Sequence, residues 1–145
     1  MNGETNKGWA EANQRYLTAR LKLVRLALER HAAGVHAAAT SPDAVSESEI
    51  SEPLDETVQT FQGHSALGHL AEMFSLSTFE QDLLLLCAGV EFDGTFPSLC
   101  ASAHGEPRCN YATLSLALAA LPDPHWNALT AAAPLRRWRL IEVTN

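Results

Sequence analysis

The sequence predicts a mainly α-helical domain preceded by a long N-terminal helix, and three observations carry that prediction. Apolar residues in the first part of the chain recur at spacings of three and four, the period of one helix face. Ser77-Thr78-Phe79-Glu80 forms a capping box that opens a segment apolar on nearly every side. Short Gly, Pro and Asp punctuations then separate further Leu- and Ala-rich segments.

In chain order, the first helix carries Leu17, Leu21, Val24 and Leu28 on one stripe, with Arg15, Lys22, Arg25 and Arg30 at other angles. Trp9, Ala12 and Tyr16 extend the stripe backward. The helix is therefore expected to begin near Asn6 and to stop at Gly34, which makes 1–34 the first unit. Residues 35–60 hold six acidic residues, two prolines and no Lys or Arg. The centre of this stretch, 41–56, cannot bury enough apolar surface to offset the entropy of ordering, so the second unit is expected to be a flexible acidic linker. Ser46-Glu47-Ser48-Glu49 fits a solvated linker first and an acidophilic kinase target second.

The third unit, 61–145, is expected to be the packed domain. A helix over 65–74 puts Leu67, Leu70 and Phe74 on one side. The capped helix over 78–91 follows, with Phe79, Leu83, Leu86 and Val90 on one face and Leu84 and Cys87 on its flank, and should be the central buried helix. Asp93-Gly94 marks a turn, 96–104 a short helix closed by Gly105, and 106–110 a loop. Leu114, Leu118 and Leu121 favour a helix over 111–121, although the alternation of Leu114, Leu116 and Leu118 also permits a strand. Asp123-Pro124 should cap a short helix through Trp126 and Leu129. The last residues of 135–143 have strand propensity. A lone strand cannot satisfy its backbone ladder, so the chain is expected to be an N-terminal fragment cut before a partner strand.

Composition narrows the function classes. With 145 residues the chain suffices for one ordinary domain, and 46% apolar against 19% charged residues is an ordinary globular balance. The net charge of -7 repels a phosphate backbone and disfavours nucleic acid as a partner of the whole surface. The apolar run 83–90 is far shorter than the roughly 20 residues of a membrane-spanning helix. The first twenty residues contain no signal-peptide core. Cys87, Cys100 and Cys109 form no CxxC pair. Together these features predict a soluble, cytoplasmic protein with reduced thiols.

No catalytic chemistry is expected. The chain has no GxxxxGK[ST] phosphate loop, because Gly63-His64-Ser65-Ala66-Leu67-Gly68 lacks both the lysine and the preceding strand. It has neither HExxH nor GxSxG. His64 and His69, five residues apart, would stand about 140° apart on a helix, so even with Glu72 they make a poor metal pair. No catalytic, cofactor or metal residue is expected in this chain. Two surfaces remain. Arg136, Arg137 and Arg139 surround Trp138, where the plain expectation is a core tryptophan with ion-paired arginines and the alternative is a nucleic-acid contact. The stripe of the first helix must either fold back on 61–145 or dock on another subunit. Candidate partner-binding residues are Trp9, Tyr16, Leu21 and Arg25 on that helix, with Arg136, Arg137 and Trp138 near the end of the chain.

Two strings carry a resemblance: Phe79-Glu80-Gln81-Asp82-Leu83-Leu84-Leu85-Leu86-Cys87-Ala88-Gly89-Val90-Glu91, and Leu121-Pro122-Asp123-Pro124-His125-Trp126-Asn127-Ala128-Leu129 continuing through Pro134-Leu135-Arg136-Arg137-Trp138-Arg139-Leu140-Ile141-Glu142. There the chain resembles the N-terminal winged-helix-like domain of a group of bacterial AAA+ ATPases, which includes those of phage-tail-like contractile injection systems. Trp9, Asn13 and the leucines after them are similar to the opening helix of that group. The resemblance implies a winged-helix-like helical domain with a short C-terminal β segment, the first strand of a wing whose partner would follow Asn145. It implies a non-catalytic protein-interaction or regulatory role, recognising a partner or substrate or organising a hexamer. ATP and Mg are then expected only in an ATPase domain further along the protein. The alternative reading is a DNA-binding winged-helix regulator.

Overall fold

The computed structural model describes residues 2–40 and 56–144. The acidic centre of the expected linker, 41–55, lies outside the described residues. Seven α-helices are described: α1 (Asn2–Thr40), α2 (Glu56–Phe61), α3 (Ala66–Phe74), α4 (Thr78–Phe92), α5 (Phe96–His104), α6 (Leu114–Ala120) and α7 (Pro134–Arg137). Two 3-10 turns, Gln62–His64 and Trp126–Leu129, join them.

The core forms where α1 lies across α5 and α4, with its flanks on α2 and α6. Its buried line is Tyr16, Arg20, Val24, Leu28 and Ala32, one residue in every four. Leu17 and Leu21, read as centres of the stripe, stand half-buried at its border. The stripe therefore folds back on its own domain. From the other side Phe79, Leu83 and Leu86 of α4, Phe96 and Cys100 of α5 and Leu116 of α6 complete the core.

Local signals set most boundaries of α3 to α6. Ser65 caps α3, its side chain accepting from Gly68 N at 2.9 Å. At α4 the capping box is complete: Ser77 N donates to Glu80 Oε2 (2.7 Å) and Glu80 N donates to Ser77 Oγ (3.2 Å). The first half of α4 is buried on most sides, as its composition predicts. Gly89 lets α5 approach, because a Cβ there would stand 2.6 Å from Phe96 Cε1. Gly105 closes α5 at φ 69°, in the left-handed region that glycine enters without penalty.

Four expectations are corrected. Gly34 does not stop α1: one helical glycine costs only about 1 kcal/mol, and Val35 with the alanines after it carries the helix on to Thr40, Val35 Cγ1 reaching the neighbourhood of Gly105. Helix α6 starts at Leu114, later than expected, because Thr113 supplies the cap, its hydroxyl accepting from Leu116 N at 3.0 Å. Asp123 is not a cap; it turns the chain at φ 51°, and a 3-10 turn follows. The short C-terminal β segment is not seen among the described residues. Leu135 is fully buried and draws 134–137 into a helical turn, Arg139 reverses the chain at φ 54°, and the N–H groups of Leu140 and Ile141 both turn back to Leu135 O (2.9 and 3.2 Å). With those donors satisfied locally, no ladder is needed.

Candidate functional site

The seven candidate residues fall into two groups with different fates. On α1 they hold the helix to the domain. Trp9 keeps 39% of its surface exposed, but its Nε1 donates to His64 O at 2.8 Å. Nearby, Asn13 Oδ1 accepts from Ala66 N at 2.8 Å. Tyr16, expected on an open face, is 1% exposed and belongs to the core. Leu21 and Arg25 border a groove of about 710 Å³ between α1 and the α4–α5 turn, with the highly exposed Phe92 on its other side. Arg25 spans that groove. Its guanidinium sits 5.9 Å from the centre of the Phe96 ring, donates to Thr95 Oγ1 and stands 3.7 Å from Asp93 Oδ2 and 3.9 Å from Glu29 Oε1. Two hydrogen bonds from Thr95, aided by Arg25, hold the Asp93 carboxyl below its ordinary range.

Between these residues lies a buried polar cluster that the stripe reading missed. Arg20 Nη1 donates to Tyr16 Oη (2.8 Å) and Gln81 Oε1 (3.4 Å), and Nη2 donates to Asp82 Oδ1 (3.0 Å). Gln81 Nε2 in turn donates to Leu76 O at 3.2 Å. Among the described residues, no buried side-chain nitrogen or oxygen lacks a partner. Burial pushes the Asp82 carboxyl above its ordinary value, with the hydrogen bond and charge of Arg20 pulling against it. Burial pulls the Arg20 guanidinium down, but Asp82 and Tyr16 outweigh that and leave it raised. The legible signal was position: Arg20 lies four residues from both Tyr16 and Val24, on the buried line itself.

A second unforeseen contact joins residues 48 apart, Ser77 Oγ and His125 Nε2 at 2.8 Å, with the His125 ring 5.3 Å from Phe79. Because Ser77 Oγ also caps α4, this contact ties the Trp126–Leu129 turn to that cap. Cys87, Cys100 and Cys109 are free, and burial raises the thiols of Cys87 and Cys100 above their ordinary value. No group of three metal-binding side chains is found among the described residues.

At the C-terminal edge the plain expectation fails. Trp138 is 53% exposed, not in the core. Its ring centre is 5.6 Å from that of Phe74 and 5.3 Å from the Arg137 guanidinium. Arg136, Arg137 and Arg139 are exposed, and among the described residues none of them makes an ion pair. Arg136 Nη1 instead donates to Leu129 O at 2.9 Å. Of these consecutive residues, Arg137 stacks on Trp138 while Arg136 turns to Leu129, and none of the contacts described for them involves the α1 candidates.

The helices between these groups carry almost no positive charge. From Phe61 to Ala120 the sequence has one basic residue, Arg108 in the loop after α5, against six acidic ones. Among the described residues no helix is long and apolar enough to cross a membrane. No curated protein and no solved structure matches the chain. A small helical domain built on a capped central helix, with short helices and turns packed around it, agrees with the family comparison: residues 37–145 match the model described as winged helix domain, variant, and the chain belongs to that family.

Proposed function

We propose that this chain is a non-catalytic protein-interaction domain that works beside an AAA+ ATPase, recognising a partner or organising the assembly. A winged helix domain serves either protein or DNA, and the choice between them rests on one observation. None of the helices α3 to α6 carries a Lys or Arg. A helix that enters a DNA groove needs cations to offset the phosphates, and this surface has a net negative charge instead. The AAA+ setting is supported by the strings at 79–91 and 121–142, and a reducing cytosol by the three free cysteines. ATP and Mg belong to a separate ATPase domain in this reading.

The test compares the complete gene product with a version lacking residues 1–145, measuring ATP turnover and co-purifying partners. The expected result is turnover in both and loss of partner engagement in the shortened one. Absence of turnover in the complete product would remove the AAA+ setting. Turnover by the 145-residue chain alone would remove the non-catalytic reading. The DNA-binding reading draws on the unpaired arginines at the C-terminal edge, and it requires salt-dependent duplex binding that weakens in Arg136→Ala plus Arg137→Ala.

A further inference from the structure

Trp138 is exposed although the chain around it is firmly held. Leu135 is fully buried, and its carbonyl gathers the N–H groups of Leu140 and Ile141. Arg136 is tied to Leu129 O across to the neighbouring turn. Anchored on both sides, the indole rests against Phe74 with the Arg137 guanidinium over its face. Met73, 73% exposed, lies on the same last turn of α3 as Phe74. The result is a preformed platform with an aromatic centre, the Arg137 guanidinium over the indole, and the exposed Arg136 and Arg139 on the same short turn of chain. Glu142 follows Arg139 by three residues and Glu72 precedes Phe74 by two, yet neither pairs with these arginines. On a chain of net charge -7, a local cluster of three unpaired arginines is a strong reversal of sign.

We infer that this platform binds an acidic segment of a partner protein that carries a large apolar side chain among its carboxylates. Guanidinium forks take carboxylates in two-point hydrogen bonds, which a planar Arg does better than a Lys. The apolar side chain seats against Trp138 and Phe74, and Trp and Arg are the residue types most enriched where interfaces concentrate their energy. Preformed geometry lowers the ordering cost of binding. A protein segment fits better than a duplex for a reason of scale. Duplex DNA presents one charge per roughly 1.7 Å of axis and would press phosphates on the acidic surface beyond the arginines. A short peptide brings negative charge only to the cluster. The inference rests on the protein-interaction reading and names the class of ligand for it.

The test is an NMR titration of the 15N-labelled 145-residue chain with a synthetic peptide of Glu-Glu-Phe repeats at low ionic strength. Saturable shifts are expected at the Trp138 indole N–H and at the three arginines. Binding should weaken roughly tenfold or more in Arg136→Gln plus Arg137→Gln, in Trp138→Ala, and with a Gln-Gln-Phe peptide. Thermal midpoints check that the variants fold. Arg139→Gln, which leaves the Arg136 tie to Leu129 intact, serves if the double variant does not fold. Absent shifts, equal binding of the Gln-Gln-Phe peptide, or folded variants that bind like the parent would overturn the inference. Duplex DNA and anionic vesicles are titrated in the same way. Tighter binding of DNA at these residues overturns both this inference and the protein-interaction reading. Vesicle binding at these residues overturns the inference alone, as does failure of the peptide when DNA also fails.

Discussion

Arg20 ties α1 to α4 through a buried polar cluster. It projects from the buried line of the helix, and its guanidinium is shared among Tyr16, Gln81 and Asp82. Removing one member of a buried ion pair leaves the other charge uncompensated, which costs about 3–5 kcal/mol. Arg20→Met should therefore lower stability by about that amount at neutral pH, measured by denaturant unfolding. The loss should also depend on pH. Burial already raises the folded-state pKa of Asp82 above its unfolded value, so the folded form holds its proton more tightly than the unfolded form does. For such a group the stabilising contribution is complete below the unfolded pKa and is lost as pH rises through the folded one. Arg20 supplies both of the influences that lower the Asp82 pKa, so in Arg20→Met that pKa climbs further. The deficit should be smallest near pH 4 and largest near neutrality. A deficit independent of pH would mean that Asp82 does not sense Arg20. Replacing both partners, Arg20→Met with Asp82→Leu, should recover most of the lost stability.

At the scale of elements, Gly89 and Phe96 set how closely α4 and α5 pack. A methyl group at position 89 would meet three atoms of the Phe96 ring closer than 3.0 Å, and that ring is fully buried. Gly89→Ala should cost about 1–3 kcal/mol through overpacking, against the small gain expected for Gly→Ala in an unconstrained helix. Thermal unfolding reads the sign directly, and a stabilised variant would contradict the close approach. Legibility varied by element for physical reasons. Ser65, Ser77 and Gly105 act through neighbours a few residues away, so the boundaries they set follow from local chemistry. The turn at 134–141 does not. Its strand propensity yields to burial of Leu135, a contact with the distant core that no local pattern encodes. Helix α2 went unforeseen because Glu56 to Phe61 joins an acidic stretch by composition and earns its helix by packing on α1.

For the whole molecule, the main structural result is that α1, much of it outside the matched family region, completes the core of the domain. Both outcomes for its stripe were open in the sequence, because amphipathicity says that a face is buried and not against what. Tyr16 left the candidate site for the core, whereas Trp138 took the opposite course. Neither could be read from residue type, since aromatic side chains serve cores and interfaces alike. Charge was more informative, because it is a property of sequence that folding redistributes little. All the basic residues but Arg108, which lies in the loop after α5, sit on α1 and at the C-terminal edge, and the helices between them have none. That distribution underlies the central claim, that the domain engages protein and not DNA. The most direct test is a fluorescence-polarisation titration of labelled duplex DNA with the 145-residue chain at low ionic strength. No saturable rise is expected; a saturable rise that weakens with added salt and disappears in Arg136→Ala plus Arg137→Ala would show that the domain engages DNA instead.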